Sequence, residues 1–175
     1  MITAREKKKE NIVEYLLYMW QIEDMIRACG CEMEEIERQL ISKYDADAGL
    51  RSEIWQWYAA LVDMMRNEGV LEKGHLQANI NIADELNGLH QRLLKAPGET
   101  VYGSLYYKAL PAIVQLRAKS GDKQTGEIET CLTALYGYML LKIKNQEISE
   151  GTTESVKQFG AMLSYLAAKY HEDKQ

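Results

Sequence analysis

Leu50-Arg-Ser-Glu-Ile-Trp-Gln-Trp-Tyr-Ala-Ala-Leu-Val-Asp-Met-Met-Arg-Asn67 decides the fold class. Leu50, Ile54, Trp57, Leu61 and Met64 recur every three or four residues, the spacing that gathers side chains onto one stripe of an α-helix. The opposite side carries Ser52, Gln56, Asp63 and Asn67, so one face is suited to a core and the other to water. A strand would alternate at every second residue, and this stretch does not.

The same rhythm runs outward in both directions, interrupted by only two prolines in the whole chain. Toward the N-terminus, Asp45-Ala-Asp-Ala-Gly49 breaks a preceding helix, expected from Glu32 to Tyr44 with Met33, Ile36, Leu40 and Ile41 inward. Before it a long first helix is expected from Thr3 to Cys29, stopped by Gly30 in a left-handed cap. Toward the C-terminus, Gly69 and Gly74 bracket a turn, and a helix from His75 to Lys95 ends at Ala96-Pro97-Gly98. The next, Glu99 to Lys119, holds Pro111 in its interior, where a kink or a split is expected because proline has no N–H to donate to the Tyr107 carbonyl and crowds it. A polar loop, Ser120 to Gly126, leads to a helix with Glu127 and Glu129 in its first turn and Lys142 and Lys144 in its last, both placements matching the helix dipole. A final helix from Thr153 to Tyr170 carries Val156, Phe159, Leu163, Leu166 and Tyr170 inward, before a polar, frayed tail from His171 to Gln175. The expectation is one all-α domain over residues 1–175, an up-and-down bundle of about six or seven helices, one of them kinked or split at Pro111.

Composition narrows the function classes. The formal charge of -5, without a basic stripe, argues against nucleic acid as a partner. Arg5, Lys7, Lys8 and Lys9 alternate with Glu6 and Glu10 and read as a solvated helical turn. The apolar run Tyr15 to Trp20 is soon met by Glu23, Asp24 and Arg27, unlike a secretory signal, and Ala134 to Leu141 is too short to span a bilayer. Three cysteines, an odd number, fit a reducing compartment, so a cytoplasmic location is expected.

A few residues break the apolar pattern. Glu23 falls between Ile12, Leu16 and Met19 on the first helix, where a carboxylate must be desolvated or partnered, and Arg27 lies four residues on in the orientation of an ion pair. The fourth helix is dense in amides and histidines. Leu76, Ile80, Ala83, Asn87, His90 and Leu94 step along one stripe, so Asn87 and His90 are expected to face inward. The plain reading of His90 is a hydrogen-bonded interior histidine, and the sharper one a proton carrier or ligand. Metal chemistry fits poorly. Glu72-Lys-Gly-His75 is the only Glu-x-x-His spacing, with glycine inside it, where a di-iron bundle needs two. Cys29-Gly-Cys31, with Cys131 elsewhere, lacks Cys-x-x-Cys spacing, and Asp45 to Gly49 matches a calcium loop only at its start. No metal and no cofactor are expected.

Eleven tyrosines and three tryptophans stand against one phenylalanine. Tyrosine suits half-buried positions, where the ring packs and the hydroxyl meets water or a partner. The first helix is apolar around most of its circumference, so it lies either at the centre of the bundle or at a subunit interface. Tyr15, Trp20, Trp55 and Tyr58 are the interface candidates.

Ala4-Arg-Glu-Lys-Lys-Lys-Glu-Asn-Ile12 with Tyr15-Leu-Leu-Tyr-Met-Trp-Gln-Ile-Glu-Asp24, then Glu53-Ile-Trp55, Met64-Met-Arg-Asn-Glu-Gly69 and Gly74-His75, resembles an uncharacterised bacterial family, a domain of unknown function. The resemblance covers most of the chain and implies a small, all-helical cytoplasmic protein, with no activity and no catalytic residues to carry over. Two functional readings follow. One is a non-enzymatic helical module that associates with itself or with another protein. The other is a small-molecule- or metal-binding bundle, with an enzyme within its scope, whose polar pocket is formed by Glu23, Arg27, Asp63, His75, Asn87 and His90.

Overall fold

The structure is a computed structural model and describes residues 2–120 and 125–174. Among the described residues it contains eight α-helices, one 3-10 turn and no strand. The helices are α1 (Ile2–Glu10), α2 (Ile12–Ala28), α3 (Met33–Gln39), α4 (Ala48–Asn67), α5 (Gln77–Lys95), α6 (Thr100–Ser120), α7 (Glu127–Ile143) and α8 (Glu150–Asp173). The chain groups into two compact units, one of Met1–Glu10 and Glu14–Asn81, the other of Asn11–Val13 and Ile82–Gln175.

The extra helix comes from Asn11, which divides the expected first helix. Its side-chain oxygen accepts the Val13 N–H at 3.0 Å, starting α2 afresh, because a short amide side chain competes with the helical ladder for backbone donors. α2 then ends in a Schellman motif. Gly30 takes φ +65, its N–H donates to the Arg27 carbonyl, and the Cys31 N–H donates to that of Ile26. The same pair of bonds closes α4 at Gly69 and α7 at Asn145, a non-glycine at φ +50. Between these ends, the expected helix from Glu32 to Tyr44 is shorter. α3 stops at Gln39 and tightens into a 3-10 turn over Ile41–Lys43, where the Ser42 hydroxyl donates to the Arg38 carbonyl.

In the first unit α4 begins where Asp47 accepts the Leu50 N–H at 2.8 Å. Ile54, Tyr58, Leu61, Val62 and Met65 are buried, whereas Met64 is exposed and Trp57 half-buried. The core face is therefore turned by roughly one residue from the expected stripe, toward Tyr58. Ile22, Ile26, Ile36 and Ile41 close the same core, each such side chain contributing about 1.5–3 kcal/mol of apolar burial. Of the residues of α2 only Glu14 and Ala28 are exposed, so its all-round apolar surface is used inside the chain.

In the second unit, cross-helix contacts give the direction of each helix. His90 on α5 meets Tyr102 on α6, and Tyr165 on α8 meets Glu99 just ahead of α6. Toward the other end of α6, Ala112 and Leu116 lie near Val156 and Phe159 of α8, so α6 runs against α8. Tyr106 meets Glu127 at the start of α7, and Gln115 and Lys119 lie near Tyr138 and Leu141 toward its end. α6 and α7 therefore run side by side in the same direction, with residues 121–124 of their connection outside the described residues. The expected polar loop from Ser120 to Gly126 falls largely on that segment. α6 continues through Pro111 without splitting. Pro111 and Tyr107 are both exposed, which leaves the orphaned Tyr107 carbonyl on the wet side.

α8 also outruns its expected end. Residues 171–173 remain helical rather than fraying. The Tyr170 hydroxyl donates to Glu85 at 2.7 Å, Lys174 pairs with the same carboxylate at 3.1 Å, and Asp173 pairs with Arg92.

Candidate functional site

Helix α5 starts at Gln77 without a Ser, Thr, Asp or Asn just ahead of it, so its leading amides need acceptors from elsewhere. Two acidic side chains supply them. Glu68 accepts the Gln77 N–H at 2.6 Å, and the fully buried Glu23 of α2 accepts the Leu76 N–H at 3.1 Å. The Glu23 carboxylate also accepts from the Asn79 amide at 2.7 Å and lies 2.6 Å from His75 Nδ1. Three donors thus surround one buried carboxylate at a helix N-terminus, where the dipole also favours negative charge.

His75 carries this centre to the surface. Its ring stacks on the Trp20 indole with centroids 4.2 Å apart and planes 13° apart, and its side chain remains 32% exposed. With Nδ1 donating to Glu23, the Nε2 lone pair is left as acceptor, the tautomer suited to a base or a metal ligand. Burial, and then the charge of Glu23, raises the pKa of the Tyr15 phenol.

His90 forms a second polar centre, in the other unit. It is fully buried, with Nδ1 2.6 Å from the Tyr102 hydroxyl and Nε2 3.1 Å from Glu127. The Tyr106 hydroxyl donates to the other Glu127 oxygen at 3.1 Å. Nε2–H donates to the carboxylate and Nδ1 accepts from Tyr102, so both ring nitrogens of a neutral imidazole are satisfied. Burial pushes the His90 pKa down while Glu127 pulls against it, and burial drives the Tyr102 phenol far up. Cys131 is pushed up to about 12 by burial and by Glu127. His90 is thus the hydrogen-bonded interior histidine of the plain reading.

The six pocket candidates separate. Glu23 and His75 are in contact, but Glu23 and His90 share none of these hydrogen-bond partners. Arg27 does not pair with Glu23. It bonds Asp24 at 2.8 Å and holds the carbonyls of Val70 and Gly74, tethering the turn before α5. Asp63 is exposed and pairs with Arg66 at 3.1 Å, since it lies on the wet face of α4. Asn87 is half-buried, its Oδ1 close against Gly126 ahead of α7. The residue buried in its stead is Asn79, because the buried face of α5 is turned from the expected stripe and leaves Ile80 exposed. Among the described residues no three His, Cys, Asp or Glu side chains gather as a metal site.

The interface candidates also separate. Tyr58 is fully buried, its hydroxyl 3.4 Å from that of Tyr44, and Trp20 is buried against His75, so neither lies on the surface of the chain. Tyr15 is half-buried, and Trp55 alone of the four is exposed, at 43%. Sequence reasoning missed Asn79, Tyr102, Tyr106 and Glu127. Glu127 was visible as a first-turn acid, but its partners come from two other helices, at no fixed spacing.

No helix among the described residues is long and apolar enough to cross a membrane. The whole chain, residues 1–175, matches the family described as a domain of unknown function (DUF4924), and it belongs to that family. No curated protein and no solved structure matches it.

Proposed function

We propose that this member of the DUF4924 family is a non-enzymatic association module, cytoplasmic, that pairs with a second copy of itself through the outer face of α6. One observation carries the reading: α6 is apolar on both sides. Tyr102, Ala109 and Ile113 are buried, yet Tyr107 and Val114 are 69% and 58% exposed on the opposite side, with Pro111 and Ala118 exposed between and beyond them. At about 100° per residue these four fall within roughly 60° of arc, an uncharged stripe with the spacing of a helix-packing seam. Unpartnered apolar helix faces of this kind mark interaction surfaces.

The flanking residues are compatible with a second copy in antiparallel orientation. Around a two-fold axis near Pro111, Lys108 lies level with Val114 of the second copy and on the same flank as its Gln115, so it meets no like charge. Three cysteines outside any disulfide agree with a reducing compartment.

Native mass spectrometry and sedimentation of the full chain test the reading. A dimer is expected, and Tyr107→Glu with Val114→Glu should dissociate it while leaving helicity and thermal stability unchanged, because both positions are exposed. A wild-type monomer at high micromolar concentration, or a dimer that survives both substitutions, sinks it.

A second reading rests on His75, whose outward Nε2 is oriented by a buried carboxylate as a general base requires. It is tested by the imidazole's 15N shifts during a screen of small carbonyl and phosphoryl compounds. The absence of any saturable perturbation at His75 counts against it.

A further inference from the structure

The side of α6 next to its exposed stripe forms the wall of a groove. Ala112 and Leu116 of α6, Ala134, Gly137 and Leu141 of α7, and Gly151, Val156 and Phe159 of α8 bound a space of about 450 Å³. It stays open because small residues meet where larger ones would close it. A Cβ built at Gly137 or at Gly151 meets no atom within 4 Å. Its size falls in the range of small-molecule sites, and its walls are mostly apolar, with Gln115, Tyr138 and Ser155 as polar members. α7 shows the same deficit of cover: every residue from 134 to 140 is half-exposed.

The helix directions set the charge of this groove at one end. Because α6 and α7 run the same way and α8 runs against them, the C-terminal ends of the first two meet the N-terminal end of the third. Lys119 therefore shares the mouth with Ser149 and Thr152, while Ala112, Ala134 and Phe159 form the far end. The Thr152 N–H is taken by the Ser149 side chain at 3.2 Å. The amides of Glu150 and Gly151 lie ahead of the first intrahelical bond, from Thr153 to Ser149. Lys119 is the one charged lining residue among those described. Glu150 and Glu154 line an adjoining groove with Lys157, which shares Gly151 with this one.

We infer that this groove binds a free amphipathic carboxylate, its hydrocarbon chain along Leu116, Gly137 and Val156 and its head group at Lys119 and the start of α8. From Ala112 to Lys119 the wall is about 10 Å long, the reach of a chain of roughly eight to ten carbons. The apolar walls supply affinity through burial, and the cation with the helix end supplies the preference for an anion.

The test uses the full chain and decanoate, followed by 15N–1H NMR titration, with decyltrimethylammonium as the cationic control. Decanoate should cause saturable shifts confined to residues 112–119, 134–141 and 149–156, and the cation should not. Gly137→Leu, which fills the groove from an open helical position, should abolish saturation. Lys119→Glu, on the exposed rim, should raise the dissociation constant at least tenfold. Val114→Glu, on the stripe outside the groove, should leave binding unchanged whatever it does to association. Equal binding of the cation, shifts spread over the α6 stripe, or wild-type affinity in either groove variant overturns the inference.

Discussion

Glu23 caps a helix from 53 residues back along the chain: its carboxylate accepts the N–H of Leu76, just ahead of α5, at 3.1 Å. The acid that interrupts the apolar rhythm of α2 is thus the missing first-turn partner of α5. His75 and Asn79, on either side of Leu76, bond the same carboxylate.

Removal of that acceptor should be costly. Glu23→Leu should destabilise the protein by about 3–5 kcal/mol, because it strands buried donors and a histidine partner. Glu23→Gln, which keeps one acceptor oxygen, should cost about 1–3 kcal/mol and should release the His75 ring from its single tautomer. Urea unfolding measures the first and 15N shifts the second. A Glu23→Leu protein as stable as wild type would show that the cap is dispensable.

His90 predicts a pH dependence with a definite sign. Its folded pKa lies below its unfolded value, so the unfolded chain binds the proton more readily and acid favours unfolding. Its contribution is complete above about pH 6.5 and falls below it, by up to about 1.4 kcal/mol per pH unit. The stability gap between wild type and His90→Gln should therefore shrink from pH 7.5 to pH 5.5. A gap that stays constant would assign the acid sensitivity to other groups.

The fold was legible where one residue type governs a local event, and the site was not. Gly30 and Gly69 announced helix ends because only a left-handed residue closes a Schellman motif. Asn11 was passed over because an asparagine inside a strong periodic pattern is tolerated or capping according to its rotamer. Glu23 stood out as a desolvated acid, but its nearest cation in sequence, Arg27, turned to Asp24 and to the carbonyls of Val70 and Gly74. Its true partners depend on where α5 begins, which its own sequence marks weakly. Trp20 and Tyr58 show the same limit, since an aromatic at a boundary reads alike whether it ends in the core or on the surface.

Thiol reactivity should divide the three cysteines. Burial raises the pKa of Cys29, and Cys131 is pushed up to about 12, whereas Cys31 is half-exposed. A maleimide should label the native protein at Cys31 alone, and Cys31→Ser should abolish native labelling. Rapid labelling at Cys131 would mean that the second unit opens readily.

Asn145 closes α7 at φ +50, a conformation that glycine adopts at no steric cost. Asn145→Gly should hold or raise stability by a few tenths of a kcal/mol, and Asn145→Ala should lower it by about 1 kcal/mol. Equal melting temperatures for the two variants would show that the cap contributes nothing.

The reach of α8 back to α5 has a consequence for biosynthesis. Glu85 is held by Tyr170 and Arg92 by Asp173, so α5 gains these partners only when α8 has been made. The first unit runs no further along the chain than Asn81, so all of its residues are made while translation of the second continues. α6 and α7, apolar on both sides, then wait on the ribosome for on the order of ten seconds before α8 covers them. During that interval the nascent chain is the form of this protein most exposed to misassembly and most in need of a chaperone.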